Sequence, residues 1–142
     1  MDDIKLEIFN KLKSEKLKSY LSKLEINNAL VFGSLINGDF NEESDVDIAI
    51  LGTSKLPLKD VLKLELFLED LLERNIDVID LNSDNLDIFI KIDILNTGKS
   101  IYSTDNNSFL EEFIDKVDWY YKENEYYFQC RKRELLSWIK RD

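Results

Sequence analysis

The sequence predicts an α/β (α+β) fold, in which helices flank a small mixed β-sheet. Segments with the apolar spacing of helices alternate along the chain with short apolar segments that are typical of buried strands. The 142 residues, 44% of them hydrophobic, are enough for one compact domain with a core of its own. Four Gly and one Pro leave little room for a flexible linker, so residues 1–142 are expected to form a single domain.

The first half of the chain begins with a predicted helix over residues 3–24. Its apolar residues form one face among many Lys and Glu, and they are Ile4, Ile8, Leu12, Leu17, Leu21 and Leu24. Short strands are predicted at 29–32 and at 45–51, the segment "DVDIAIL". Between them, Gly38-Asp39 and the acidic "NEES" are typical of a loop.

The second half continues the alternation of helix and strand patterns. Residues 84–96 fit either a strand or a helix, and a helix that ends at Gly98 is favoured. The other predicted elements are a helix over 58–74 with Val61, Leu64, Leu68 and Leu71 on one face, strands at 76–81 and 99–102, and one or two helices over 108–141.

Composition and charge exclude several classes of protein. Because the chain has no His, a histidine-ligated zinc site and a histidine general base are ruled out. A formal net charge of −10 would repel a phosphate backbone, so no direct nucleic-acid ligand is expected. Neither a membrane span nor a signal peptide is visible, and the single Cys suits a reducing compartment. A cytoplasmic protein without a membrane partner is therefore expected.

Two aspartates lie at the start of the second predicted strand. Since side chains alternate along a strand, Asp45 and Asp47 point to the same side. In the third strand, Asp77 lies near the start, where it can join the pair, whereas Asp80 faces the opposite side and is typical of a turn or cap residue. Unpaired carboxylates so close together repel each other, and three of them can hold two Mg²⁺ or Mn²⁺ ions. Asp45, Asp47 and Asp77 are therefore candidate catalytic and metal-binding residues, the alternative being a solvated strand start.

Gly33 and Ser34, after the first strand, are candidate nucleotide-binding residues. Glycine lets the backbone approach a phosphate, and Ser34 adds a hydroxyl beside the amides that open a helical turn. Ser34 alone also fits a helix N-cap. A P-loop is excluded because Asp39-Phe40 stand where Lys and Ser/Thr are required, and an EF-hand because Ile48-Ala49-Ile50 follow the aspartates. The turn and the paired aspartates are expected at one edge of one sheet.

Gly33-Ser34, ten residues, and Asp45-Val46-Asp47 resemble the signature of the DNA polymerase β-like nucleotidyltransferase superfamily. The similarity covers about residues 25–102 and is closer to the minimal nucleotidyltransferase (MNT) branch, through "SDVDIAIL", "IDVIDL" and "LNTGKSIY". It implies a polymerase β-like core followed by C-terminal helices at about 108–141. It also implies that Asp45, Asp47 and Asp77 hold two Mg²⁺ ions, that Gly33 and Ser34 contact the triphosphate of ATP, and that a hydroxyl attacks the α-phosphate.

Many MNT proteins are antitoxins encoded beside a HEPN-domain ribonuclease toxin. The resemblance implies that this chain is a protein adenylyltransferase that adds AMP to a toxin tyrosine and silences the toxin, to which it would bind as a hetero-oligomer. An acidic antitoxin is well matched to an RNA-binding, basic partner. The sequence departs from the pattern at Leu35-Ile36-Asn37, where many relatives carry arginine.

Two alternative functions stay open at this point. One is a non-enzymatic antitoxin that inhibits the toxin by binding, and the other is a small-molecule (antibiotic) nucleotidyltransferase, against which the lack of a second domain weighs. The aromatic segment "WYYKENEYYF" at 119–128 fits either a docking surface or burial against the sheet. Within it Trp119 is expected in the core, and the nearby Cys130 is expected to behave as a small apolar residue.

Overall fold

The structure, a computed structural model, describes residues 3–38 and 40–139. In these ranges the chain forms four strands and seven helices. The strands are β1 (Ile26–Phe32), β2 (Val46–Gly52), β3 (Ile76–Asp80) and β4 (Lys99–Ser103). The helices are α1 (Asp3–Leu12), α2 (Glu15–Lys23), α3 (Ser34–Asn37), α4 (Leu58–Leu72), α5 (Ile88–Thr97), α6 (Ser108–Glu123) and α7 (Glu125–Ile139). None of these helices is long and apolar enough to span a bilayer.

The four strands form one mixed sheet in the order β3-β2-β1-β4. β1 pairs antiparallel with β2 and with β4, whereas β2 and β3 run parallel and are joined by α4. This arrangement confirms the predicted small mixed sheet flanked by helices. β1 begins at Ile26, earlier than the predicted residue 29, and ends before Gly33 as expected.

Two apolar clusters cover the two faces of the sheet. On one face, α1, α2 and α4 pack against strand residues such as Val31 and Ile48. On the other face, α5 and α6 pack against Leu30 and Ala49. Strand β2 is therefore buried on both sides, which explains its continuous apolar run after Asp47.

The predicted single helix over 3–24 is wrong, because the segment forms two helices that meet at Ser14. The Ser14 backbone is extended, with φ −68° and ψ 150°, and its Oγ accepts a hydrogen bond from the Leu17 amide at 3.3 Å. Ser14 is thus the N-cap of α2. The break has a packing reason, since Leu12 and Leu17 are each only 1% exposed. On one straight helix, residues five apart would lie about 140° apart around the axis and could not share one buried face.

The ambiguous segment before Gly98 contains helix α5, so the preference for a helix is confirmed. Asp87 caps its start by accepting a hydrogen bond from the Phe89 amide at 2.8 Å, and the Gly98 amide donates to the Ile94 carbonyl at 2.7 Å. Gly98 is not left-handed, since its φ is −67°. A side chain is excluded there because its Cβ would lie 2.6 Å from the Ile94 oxygen.

The C-terminal segment forms two helices, α6 and α7, which are separated at Asn124. The prediction that Trp119 lies in the core is wrong, because its side chain is 66% exposed. In α6 the buried residues are Leu110 and Val117. Trp119 follows Val117 by two residues, so its side chain points about 200° away from that of Val117 around the helix axis. Phe128, in α7, is a buried aromatic residue. The predicted helical residues 140 and 141, and Asp39 of the predicted loop, lie outside the described residues.

Candidate active site

The three predicted aspartates, Asp45, Asp47 and Asp77, lie close together at one end of the sheet. Asp47 in β2 pairs with Phe32 in β1 on one side and with Asp77 in β3 on the other. Neighbouring strands are about 4.8 Å apart, and residues in register point to the same face. The carboxylates of Asp47 and Asp77 are therefore neighbours. Asp45 precedes β2 by one residue and is exposed to solvent.

The electrostatics of Asp47 show the influence of both neighbouring carboxylates on this residue. Burial raises the pKa of Asp47 above its ordinary value of 3.8, and the negative charges of Asp77 and then Asp45 raise it further. The ionised form of Asp47 is therefore disfavoured by its surroundings. A bound cation would reverse this effect, because it stabilises all three charges together.

The donor chemistry of this group fits Mg²⁺ held jointly by protein and ligand. Within residues 3–38 and 40–139, no three carboxylate or thiolate groups converge closely enough to enclose a metal ion by themselves. Mg²⁺ is commonly held by one or two carboxylates together with substrate phosphates, and it keeps several waters. The all-oxygen donors Asp45, Asp47 and Asp77 suit that mode of binding.

Gly33 lies in the turn after β1, next to the carboxylate of Asp47. Its φ is 75°, in the left-handed region that glycine adopts without strain. Its carbonyl accepts hydrogen bonds from the amides of Ile36 at 3.0 Å and Asn37 at 2.9 Å, so it opens α3. A Cβ on Gly33 would collide with Oδ2 of Asp47 and lie 3.2 Å from its Cγ. The turn thus lies directly against the Asp47 carboxylate.

Ser34 is the first residue of α3 and is half-buried. The alternative in which Ser34 is the N-cap is wrong, because Gly33 occupies that position. The expected helical turn after the glycine is confirmed. The next residue, Leu35, is only 2% exposed and packs in the core beneath the sheet. It therefore packs inward, and the first residue after Gly33-Ser34 brings no charge to the surface.

Asp80 does not belong to the site. It pairs with Ile50 on β2, on the face opposite to Asp47, and is 8% exposed. Its Oδ2 accepts a hydrogen bond from the Leu56 amide at 2.8 Å, and its Oδ1 accepts one from the Asn82 amide at 2.9 Å. The prediction that Asp80 is a turn residue is confirmed.

Arg74 lies next to the site, and the sequence analysis missed it. Its Nη1 donates hydrogen bonds to the backbone carbonyls of Asn41 at 3.3 Å and Ser44 at 3.0 Å, immediately before Asp45. Contacts with backbone carbonyls leave no pattern in a sequence. The one available signal was an arginine directly before the strand that carries Asp77.

Comparison with known proteins identifies relatives of this arrangement. Residues 15–107 match the model of the polymerase beta nucleotidyltransferase family. A protein of Methanocaldococcus jannaschii, MJ0126, provisionally named a protein adenylyltransferase, is 35% identical over 77 residues, which are 54% of this chain and 74% of that protein.

Solved structures share the fold. A chain from the crystal structure of a toxin–antitoxin complex with AMP-PNP superposes with a TM-score of 0.71 at 22% identity, covering 89% of this chain and 98% of that chain. A chain from the complex of a tri-AMPylated Shewanella oneidensis HEPN toxin with an MNT antitoxin gives a TM-score of 0.66 at 19% identity, covering 93% and 98%. At these identities the likeness confirms the predicted polymerase β-like fold.

Proposed function

The chain belongs to the polymerase β nucleotidyltransferase family, and we propose that it is an antitoxin that transfers AMP from ATP to a tyrosine of a cognate HEPN ribonuclease toxin. The observation that carries this proposal is the contact between the Gly33 turn and Asp47, whose pKa is raised by burial and by the charges of Asp77 and Asp45. The provisional name of the archaeal relative and the AMPylated toxin in a complex of the same fold support protein as the acceptor.

In the proposed reaction the tyrosine oxygen attacks the α-phosphorus of ATP. The new bond joins that oxygen to phosphorus, the bond to the bridging oxygen of the β-phosphate breaks, and pyrophosphate leaves. One of the three carboxylates accepts the tyrosine proton. Gly33 admits the triphosphate close to the backbone, and the Ser34 hydroxyl is available to it as a hydrogen-bond donor.

Asp45, Asp47 and Asp77 would hold Mg²⁺, with two ions expected. When bound, these ions supply charge stabilisation for the attacking and leaving oxygens. The carboxylates supply the framework, because Asp47 and Asp77 lie opposite each other on paired strands. The three carboxylates would therefore present oxygen ligands at the edge of the sheet where the triphosphate would lie.

Charge supports a protein partner of basic character. The net charge of −10 favours association with a surface that binds RNA and disfavours direct contact with nucleic acid. The exposed aromatic residues Trp119, Tyr126 and Tyr127 supply contact area of the kind that protein interfaces use. A single Cys and no helix able to span a bilayer in the described residues agree with the cytoplasmic location that we propose.

Mass spectrometry of the cognate toxin, incubated with this chain, Mg²⁺ and ATP, tests the proposal. We expect the toxin to gain one or more AMP units on tyrosine. The Asp45→Ala/Asp47→Ala variant should show no gain. The matched control is Asp70→Ala/Asp93→Ala, which removes two exposed aspartates from α4 and α5 and should transfer AMP normally. Full transfer by the first variant would refute the mechanism.

The second candidate function is an antitoxin that inhibits the toxin by binding alone, which the exposed aromatic residues also support. Such an antitoxin would protect the toxin's RNA substrate without ATP, and it would still do so after the aspartates are replaced. Ribonuclease assays with and without ATP, run on the same variants, separate the two functions. An unmodified toxin together with transfer to an added aminoglycoside would instead indicate a small-molecule enzyme.

A further inference from the structure

Arg74 links the connection between α4 and β3 to the loop that precedes β2. Helix α4 ends at Leu72, its C-cap Glu73 turns the chain with a φ of 55°, and Arg74 follows directly. The Arg74 guanidinium carbon lies 4.8 Å from the centre of the Phe40 ring, which is buried. Together with the hydrogen bonds from Nη1 to the carbonyls of Asn41 and Ser44, this contact ties the whole 40–44 loop to the start of β3.

Asp45 depends on this loop for its position. Before it, the Ser44 carbonyl accepts the hydrogen bond from Arg74, and after it, the Val46 amide donates to the Asn75 carbonyl at 3.1 Å. Both flanking contacts therefore come from residues 74 and 75, which immediately precede the strand that carries Asp77. Asp47 and Asp77 are held differently, by direct pairing of their strands.

We propose that Arg74 is a positioning residue that sets where Asp45 lies relative to Asp77, and so sets the affinity of the site for a divalent cation. The inference rests on the proposed function, in which Asp45 is a metal ligand. Arg74 acts through the backbone of Ser44 and does not contact substrate. Groups that orient a metal ligand from behind typically change metal affinity or activity by about 10–100-fold when they are removed.

An arginine suits this role better than a lysine. Its planar guanidinium can donate to two carbonyls while its face stacks on the Phe40 ring. A lysine ammonium keeps the charge but loses the planar stacking and the fixed donor directions. Arg74→Lys should therefore weaken cation binding nearly as much as Arg74→Met does. Because lysine keeps the positive charge, this result would show that the geometry of the arginine matters and not its charge alone.

Mn²⁺ binding to the full chain in the presence of AMP-PNP, followed by the electron paramagnetic resonance signal of free Mn²⁺, tests this without any transfer reaction. We expect Arg74→Met and Arg74→Lys to raise the Kd for Mn²⁺ by about 10–100-fold. Arg131→Met is the control, because Arg131 pairs with Asp87 beyond the far end of β3. It should change the Kd by less than about twofold, since it shares no partner with the site.

Hydrogen exchange supplies a second readout on the same samples. Amides of residues 40–46 should exchange faster in both Arg74 variants and at the normal rate in Arg131→Met. Both measurements are made well below the melting temperature of each variant, and Arg74→Lys serves if Arg74→Met does not fold.

Asp45→Ala separates failure of this inference from failure of the proposed function. If Asp45→Ala weakens Mn²⁺ binding while both Arg74 variants bind normally, Arg74 only supports the fold and the inference is overturned. If Asp45→Ala itself binds Mn²⁺ normally, Asp45 is not a ligand, and the proposed mechanism and this inference are both overturned.

Discussion

Replacing Gly33 with Ala tests whether the turn after β1 and the Asp47 carboxylate act as one unit. The new methyl group would collide with Oδ2 of Asp47 and lie 3.2 Å from its Cγ. The Gly33 backbone, with φ 75° and ψ −147°, has a conformation that residues with a Cβ rarely adopt, which adds a cost of about 1–3 kcal/mol. A stability loss of this size leaves most of the protein folded.

The expected loss of activity is much larger than the loss of stability. The carboxylate must move to admit the methyl group, and a displacement of about 1 Å in a catalytic group can cost about 10²-fold in rate. We therefore expect AMP transfer to the toxin to fall by about 10²-fold at saturating ATP and Mg²⁺. Initial rates measure the transfer, and urea unfolding measures the stability.

Gly38→Ala is the matched control in the same loop. No heavy atom lies within 4 Å of the position of its Cβ, and its φ of 169° is extended backbone that any residue adopts. It should keep the normal rate and gain up to about 1 kcal/mol from the reduced freedom of the unfolded chain. A Gly33→Ala enzyme with a normal rate, or equal losses in both variants, would refute the proposed contact.

Three further predictions concern single side chains. Burial and neighbouring charge raise the pKa of Asp47 in the folded state, so the folded chain binds a proton more tightly than the unfolded chain. The free energy of unfolding without metal therefore falls as the pH rises from about 3.8 through the folded-state pKa. Asp47→Asn should therefore raise the melting temperature at pH 7 in EDTA, with a gain that shrinks towards pH 4, while transfer is lost; a lower melting temperature at pH 7 would contradict this. Asp80→Ala leaves the Leu56 and Asn82 amides without their acceptor and should cost about 1–3 kcal/mol in urea unfolding with little change in transfer rate, and a large rate loss would place Asp80 in the site. Ser14→Ala removes the N-cap of α2 and should cost about 1 kcal/mol by the same assay; no loss would argue against the helix break.

Alternation along strands predicted which of the aspartates share a face of the sheet. It placed Asp45 and Asp47 on one side and separated Asp77 from Asp80, and the structure pairs Asp47 with Asp77 on one face and Asp80 with Ile50 on the other. What the sequence did not contain was the register between β2 and β3. That register depends on how the connecting helix α4 packs on the sheet, which is a property of the whole fold.

Two failed predictions have a common physical cause. The apolar spacing across Ser14 looks continuous because Leu12 and Leu17 both face the core, although they do so from two helices. Trp119 was expected in the core because it is a large aromatic residue. Its position two residues after the buried Val117 instead points its side chain towards solvent. In both cases the apolar character of the residues was right or suggestive, whereas where each helix begins and which way each residue points around its axis decided the outcome.

In the proposed function, charge determines how the three aspartates would accept a nucleotide. Asp77 and Asp45 raise the free energy of ionised Asp47, as the direction of its pKa shift shows, and in the proposed reaction ATP would bring more negative charge to the same edge of the sheet. Leu35 points into the core, so the turn itself brings no cation from that position. A divalent cation would relieve the repulsion among the carboxylates and attract the triphosphate at the same time. Because such coupling is reciprocal, nucleotide must strengthen cation binding by the same factor by which cation strengthens nucleotide binding. A cluster of carboxylates that is too open to enclose an ion by itself is consistent with this dependence, since the phosphates complete the ligand shell.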